Sequence, residues 1–195
     1  DTILAYETNG RPSQPSPGSP LRLNTPRWMA DSCTKWLTEI MVQVDEAKGY
    51  YMQTAYRVPV TAIQLNSGLP GTSMVPVEAM VVKSLIGSPA NGDQVGRGPV
   101  IVRGVAWSGE AAVATVELSF DDGKSWEQAR LVGEDEPYAW RQWQFLWKPA
   151  VPGAVTILCR ATDTVGQIQP QESPWNPSGF LWNGWDRVAI TVALL

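Results

Sequence analysis

The chain has 195 residues, a formal net charge of −4, and a composition that is 44% hydrophobic and 17% charged. This balance excludes an intrinsically disordered chain. Mild acidity without a basic stripe argues against nucleic acid as the main partner, no apolar run reaches the ~20 residues of a membrane helix, and the absence of histidine removes Ser-His-Asp triads, His-ligated zinc and imidazole acid–base steps.

In chain order, residues 1–7 begin inside an element that runs into a turn at Asn9-Gly10. They carry neither an initiating Met nor a signal sequence, so the chain is expected to be the C-terminal portion of a longer polypeptide. Residues 11–20 (RPSQPSPGSP) read as irregular loop. Leu21-Arg22-Leu23 is a short apolar piece ended by Pro26. Residues 35–44 (KWLTEIMVQV) place Trp36, Ile40, Val42 and Val44 in a pattern consistent with a strand, although a helix fits so short a run too. Pro59, Pro70, Gly71 and Pro76 punctuate the stretch that follows. Residues 61–76 are assigned as a connecting segment between 1–60 and 77–195.

Beyond Val77, short apolar runs recur between turn signals, as an all-β sandwich requires. The runs are 79–86, 99–107, 113–120, 126–132, 140–147, a strand through Val155, Ile157, Cys159 and Ala161, and 187–192. Val116, Leu118 and Phe120 share one face, as do Trp143, Phe145 and Trp147. Asp122-Gly123 suits a hairpin turn, because Asp-Gly tolerates positive φ. About seven strands result, the count of an immunoglobulin-like sandwich.

The chemistry-bearing residues are few. Cys159 lies on an apolar strand face and reads as a core thiol. Cys33 sits in a polar loop beside Lys35, a cation that would favour its thiolate, but no base or second cysteine accompanies it. Trp140, Trp143 and Trp147 fit a sandwich core better than a sugar-stacking platform. Trp175, Trp182 and Trp185, in a Pro/Gly-rich tail, fit docking as well as core packing. Glu134-Asp135-Glu136 lacks calcium-loop spacing and reads as a solvated hairpin tip. Arg22, Arg27, Lys35 and Arg57 gather in the first third, where loop cations suit an anion such as phosphate as well as ordinary surface charge.

Several stretches together resemble the sulfite oxidase family of molybdopterin oxidoreductases: LAYETNG, PLRL, KWL and GYYMQTAY, then RGVAWSG, VELSFDDGKSW, AWRQWQF, CRATDTVGQIQP and WN with a later GWDRV. The resemblance spans essentially the whole chain. It implies the α+β end of a molybdopterin-binding domain, then an immunoglobulin-like β-sandwich that mediates homodimerisation. It implies a molybdopterin cofactor and oxygen-atom transfer to sulfite or a related small oxyanion in the complete enzyme. The cofactor phosphate would be held by Arg22 and by Cys33, Thr34 and Lys35, and Tyr56 would stand at the reacting centre as the catalytic candidate. The cysteine that ligates molybdenum in the family falls upstream of LAYE, so the resemblance assigns no metal ligand to this chain and makes the missing cofactor-domain segment a partner. Three positions depart from the family pattern: Pro17 stands for a cofactor histidine, Ser32 for an arginine, and Ser178 for the substrate arginine. Many bacterial relatives are periplasmic, which is the compartment the resemblance favours. Read without the resemblance, the chain is a non-catalytic β-sandwich that only dimerises, or a carbohydrate-binding sandwich that uses its tryptophans.

Overall fold

The computed structural model describes residues 2–63 and 73–194. Pro70 and Gly71, assigned to the connecting segment, lie outside the described residues. The chain forms two units. The first comprises Asp1–Met80 together with Pro174–Phe180, and the second comprises Val81–Ser173 and Leu181–Leu195.

In the first unit, β1 (Ile3–Ala5) pairs antiparallel with β4 (Arg22–Asn24). Between them β2 (Glu7–Thr8) and β3 (Arg11–Pro12) form a hairpin around Asn9 and Gly10, both at positive φ (52° and 71°), as an Asn-Gly turn allows. A single 3₁₀ turn covers Ala30–Ser32. A π-helical turn covers Tyr51–Ala55, closed by the Tyr56 N–H donating to the Tyr51 carbonyl at 2.7 Å. β5 (Arg57–Pro59) and β6 (Met74–Pro76) pair antiparallel.

The strand expected over residues 35–44 is not formed. After Leu37 this segment has no ladder partner among the described residues, and Val42 is 95% exposed. β-branched composition favours extended backbone, but a strand is stabilised by cross-strand pairs that are missing here. Among the described residues of the first unit, Val77 is the one large apolar side chain that is buried.

The second unit is the expected β-sandwich. Its strands are β7 (Lys83–Ser88), β8 (Gln94–Val95), β9 (Val100–Trp107), β10 (Val113–Ser119), β11 (Glu127–Gln128), β12 (Arg130–Val132), β13 (Arg141–Trp147), β14 (Gly153–Asp163) and β15 (Asp186–Val192). One sheet has the order β11-β10-β14-β15-β8 and the other β12-β13-β9-β7. All pairs are antiparallel except β8, which runs parallel to the chain-closing β15. The run expected over 126–132 is split at buried Ala129, where the chain crosses from one sheet to the other.

Period-two alternation puts Val102, Ala106, Trp143 and Trp147 of one sheet against Val116, Leu118, Ile157, Ala161, Val188 and Ile190 of the other. Gly104 lies beneath the Trp143 ring, and a Cβ there would overlap both the indole and the Leu85 carbonyl. Gln169, fully buried, joins the two sheets. Its Oε1 accepts from the N–H of Ser84 in β7 (2.8 Å) and of Ala161 in β14 (3.1 Å), while its Nε2 donates to the Gly184 carbonyl (2.9 Å). Asp122 (φ 60°) and Gly123 (φ 82°) form the expected turn after β10.

Candidate functional site

Four of the five candidate residues converge in the first unit. The segment after the 3₁₀ turn runs back beside β4: Leu23 N–H donates to the Thr34 carbonyl (2.9 Å) and Leu37 N–H to the Leu21 carbonyl (2.8 Å). Thr25 locks the turn, with its Oγ1 donating to the Ser32 carbonyl (3.1 Å) and its N–H to Cys33 Sγ (3.5 Å). This pairing sets Arg22 and Lys35 around the Pro-rich loop at residues 14–18. Three consecutive carbonyls of that loop each accept from a side chain: Pro15 from Trp36 Nε1 (2.9 Å), Ser16 from Lys35 Nζ (3.3 Å) and Pro17 from Arg22 (3.2 Å).

Gly18 closes the loop at φ +120°, with Lys35 so near that a Cβ would stand 3.1 Å from that side chain. The conformation favours glycine, and the Lys35 segment would have to give by a few tenths of an ångström to admit a Cβ. Trp36 is held at φ 52°, a conformation sparsely populated by non-glycine residues, and its indole N–H bond to Pro15 offsets the strain.

Neither Arg22 nor Lys35 forms an ion pair among the described residues, and Arg22 Nε is buried without a partner. A buried guanidinium nitrogen left unpaired is uncommon, and an anionic group would satisfy it. The residues therefore fit the phosphate end of a molybdopterin. They do not supply its metal end. Cys159 lies in the sandwich core, where burial pushes its thiol up to about 12, and Cys33 Sγ is engaged by Thr25. Among the described residues no three Asp, Glu or Cys side chains group as a metal site.

Tyr56 is not joined to the other four by any hydrogen bond. It follows the π turn, its ring stacks on Tyr51 (5.2 Å between centroids), and Phe180 of the returning segment meets it edge-on (5.8 Å). Arg57 anchors this region through Glu46 (3.1 Å) and the carbonyls of Met52 and Met74, so its charge is spent on structure. The contributions of Trp36, Gly18 and the loop carbonyls went unread in the sequence. Their signal was the Gly18 embedded in a Pro/Ser loop, which carries no periodicity.

Elsewhere, Trp143 and Trp147 are core, whereas Trp140 is 65% exposed. Glu134, Asp135 and Glu136 are exposed on the β12–β13 connection.

The Mo-co oxidoreductase dimerisation domain model matches residues 75–193, and the oxidoreductase molybdopterin binding domain model matches residues 1–51. Mitochondrial sulfite oxidase of Macaca fascicularis is 34% identical over 98% of this chain and 36% of its own length; the human protein is 33% identical over 99% and 37%. The chain thus spans little more than a third of the length of each of these two relatives. The sulfane dehydrogenase SoxCD of Paracoccus pantotrophus shares the fold, with a TM-score of 0.83 and 23% identity over all of this chain and 51% of that one. The chain belongs to the sulfite oxidase family of molybdenum-cofactor oxidoreductases and carries that family's dimerisation domain.

Proposed function

We propose that this chain serves a molybdopterin-dependent oxidoreductase acting on sulfite or a related small oxyanion. In this reading residues 1–60 complete the cofactor domain, 61–76 connect, and 77–195 pair two copies into a homodimer. The observation that carries the cofactor role is the convergence of Arg22 and Lys35 on one loop, with Arg22 Nε left unpaired.

When bound, the cofactor supplies oxygen-atom transfer. The chain's own residues do the holding. Arg22 and Lys35 would release their 3.2–3.3 Å bonds to the loop carbonyls for stronger charge-assisted bonds to phosphate. The backbone of Cys33 and Thr34, fixed through Thr25 and Leu23, sets the spacing between the two cations. Tyr56, steadied by Tyr51 and Phe180, would present its phenol to substrate. The metal-ligating thiolate comes from the rest of the cofactor domain. The sparse apolar burial of the first unit supports this, because such a unit needs further chain to cover it.

The test is elemental mass spectrometry on the complete protein made in a cofactor-producing host. About one molybdenum per chain is expected. Arg22→Ala with Lys35→Ala, each removing a bond of ~1.5–3 kcal/mol, should cut retention by tenfold or more while tryptophan fluorescence stays native. Undiminished retention in that variant overturns the roles of the two residues. A metal-free wild type overturns the enzyme reading.

A further inference from the structure

The backbone of Tyr56 is fixed on both sides. Its N–H donates to the Tyr51 carbonyl (2.7 Å), and its own carbonyl accepts from the Val77 N–H (2.9 Å). Its ring is placed by two others: Tyr51 stacks against it with 23° between the planes, and Phe180 meets it edge-on at 71°. These two contacts differ in kind. Tyr51 belongs to the π-helical turn that Tyr56 closes, so its ring moves with Tyr56 and cannot fix where the pair stands. Phe180 comes from the returning segment Pro174–Phe180 and gives the pair an external reference.

That segment is arranged to hold one ring. Gly179, at φ +70°, reverses the chain, and its N–H donates to the Asn176 carbonyl (3.2 Å). The Asn176 side chain then takes both backbone groups of Phe180: its Oδ1 accepts from the N–H (3.0 Å) and its Nδ2 donates to the carbonyl (2.7 Å). Two bonds to one residue fix the direction in which its ring leaves the backbone. They need a donor and an acceptor on one short side chain, which a carboxylate or a methyl group lacks. In the second unit, the chain on either side of this segment is tied together. Ser173 Oγ accepts from the Asn183 N–H (3.1 Å), and buried Asn183 donates through Nδ2 to the Val82 carbonyl (3.2 Å).

We infer that Phe180 and Asn176 are positioning residues for Tyr56: Phe180 sets where the phenol stands, and Asn176 holds Phe180. The inference rests on the reading of Tyr56 as the group presented to substrate, and deepens it. A ring edge carries partial positive charge and a ring face partial negative charge, so an edge-on contact has a preferred direction that an aliphatic side chain of similar size lacks. A displacement of ~1 Å at a reacting centre can cost ~100-fold in rate. A loosened Tyr56 therefore slows turnover, while Arg22 and Lys35 keep their places.

The test uses the complete, cofactor-loaded protein labelled with 3-fluorotyrosine, with Tyr56→Phe assigning the Tyr56 fluorine resonance. Kinetics with sulfite are read on unlabelled protein, and molybdenum content and circular dichroism are the controls for assembly and folding. Phe180→Leu should shift and broaden the Tyr56 resonance, and so should Asn176→Ala, which keeps the ring and loosens its support. Each should lower kcat by ~10- to 100-fold and change KM by less than about twofold. Phe180→Tyr retains the aromatic edge and should restore both readouts. A resonance and a kcat indifferent to Phe180→Leu and Asn176→Ala, in a protein that Tyr56→Phe does slow, overturn the two positioning roles and leave Tyr56 standing. Turnover undiminished in Tyr56→Phe overturns the reading of Tyr56 and this inference with it.

Discussion

Gln169 shows how one side chain holds two sheets in register. Its amide takes up the N–H of Ser84 from one sheet and of Ala161 from the other, donates to Gly184, and leaves no surface exposed. Gln169→Leu keeps the volume and strands both amides. Each buried unsatisfied donor costs ~1–3 kcal/mol, so urea unfolding should show a loss of about 2–6 kcal/mol with little change in slope. Asp121 makes the turn after β10 sensitive to acid. Hydrogen bonds from the Ser125 hydroxyl, the Ser125 N–H and the Ser119 hydroxyl lower its carboxyl from 3.8 to about 2. A depressed carboxylate contributes its stability above the unfolded value and loses it as pH falls. Between pH 4 and about 2 the wild type should therefore lose stability more steeply than Asp121→Asn, which should be the less stable of the two at pH 7; tryptophan fluorescence at stepped pH reads both. The alternation that reveals Trp143 and Cys159 as core says nothing of Gln169. A buried amide at the end of a loop breaks no pattern, and its partners become neighbours only when the sheets close.

At the scale of elements, seven runs of the second unit were legible because each alternates over a hydrophobic face and is bounded by Gly, Pro, Asn or Asp. β8 escaped because a two-residue strand carries no periodicity, and the crossing at Ala129 escaped because a small residue can face either sheet. Residues 35–44 gave the opposite result. The pattern of a strand is present in Ile40, Val42 and Val44, but the ladder is not. A segment this apolar and this exposed is a template for pairing. In the isolated chain, amides of residues 40–44 should exchange with solvent at nearly unprotected rates, measured by hydrogen–deuterium exchange with mass spectrometry. In the complete enzyme, with a full cofactor domain, they should be protected by orders of magnitude. Equal exchange in both would mean the segment is not a strand of that domain. The cofactor candidates were legible only through the family resemblance. Arg22 and Lys35 are 13 positions apart, and no helical or strand period brings them together; the Pro15–Pro17 carbonyls do.

At the scale of the molecule, the two units differ in how they are held. The second contains nearly all the buried apolar residues, a cross-sheet amide and a charged stack in which Arg160 pairs with Glu117 (2.9 Å) and lies over Trp126 (4.1 Å). The first is organised by backbone and loop hydrogen bonds with little apolar burial of its own. That contrast matches a division of labour in which one unit supplies a rigid docking surface and the other is shaped by what it binds.

The first unit is also discontinuous in the chain, since it includes Pro174–Phe180, and Phe180 closes on Tyr56. Synthesis is vectorial, at ~5–20 residues per second. Tyr56 therefore leaves the ribosome many seconds before the ring that steadies it exists. All of β7 to β14 is made in that interval, whereas β15, which pairs with both β14 and β8, follows Phe180. A nascent chain arrested before Phe180 would lack both the ring against Tyr56 and the strand that joins β8 to β14, so residues 180–192 complete the sheet and the Tyr56 contact together.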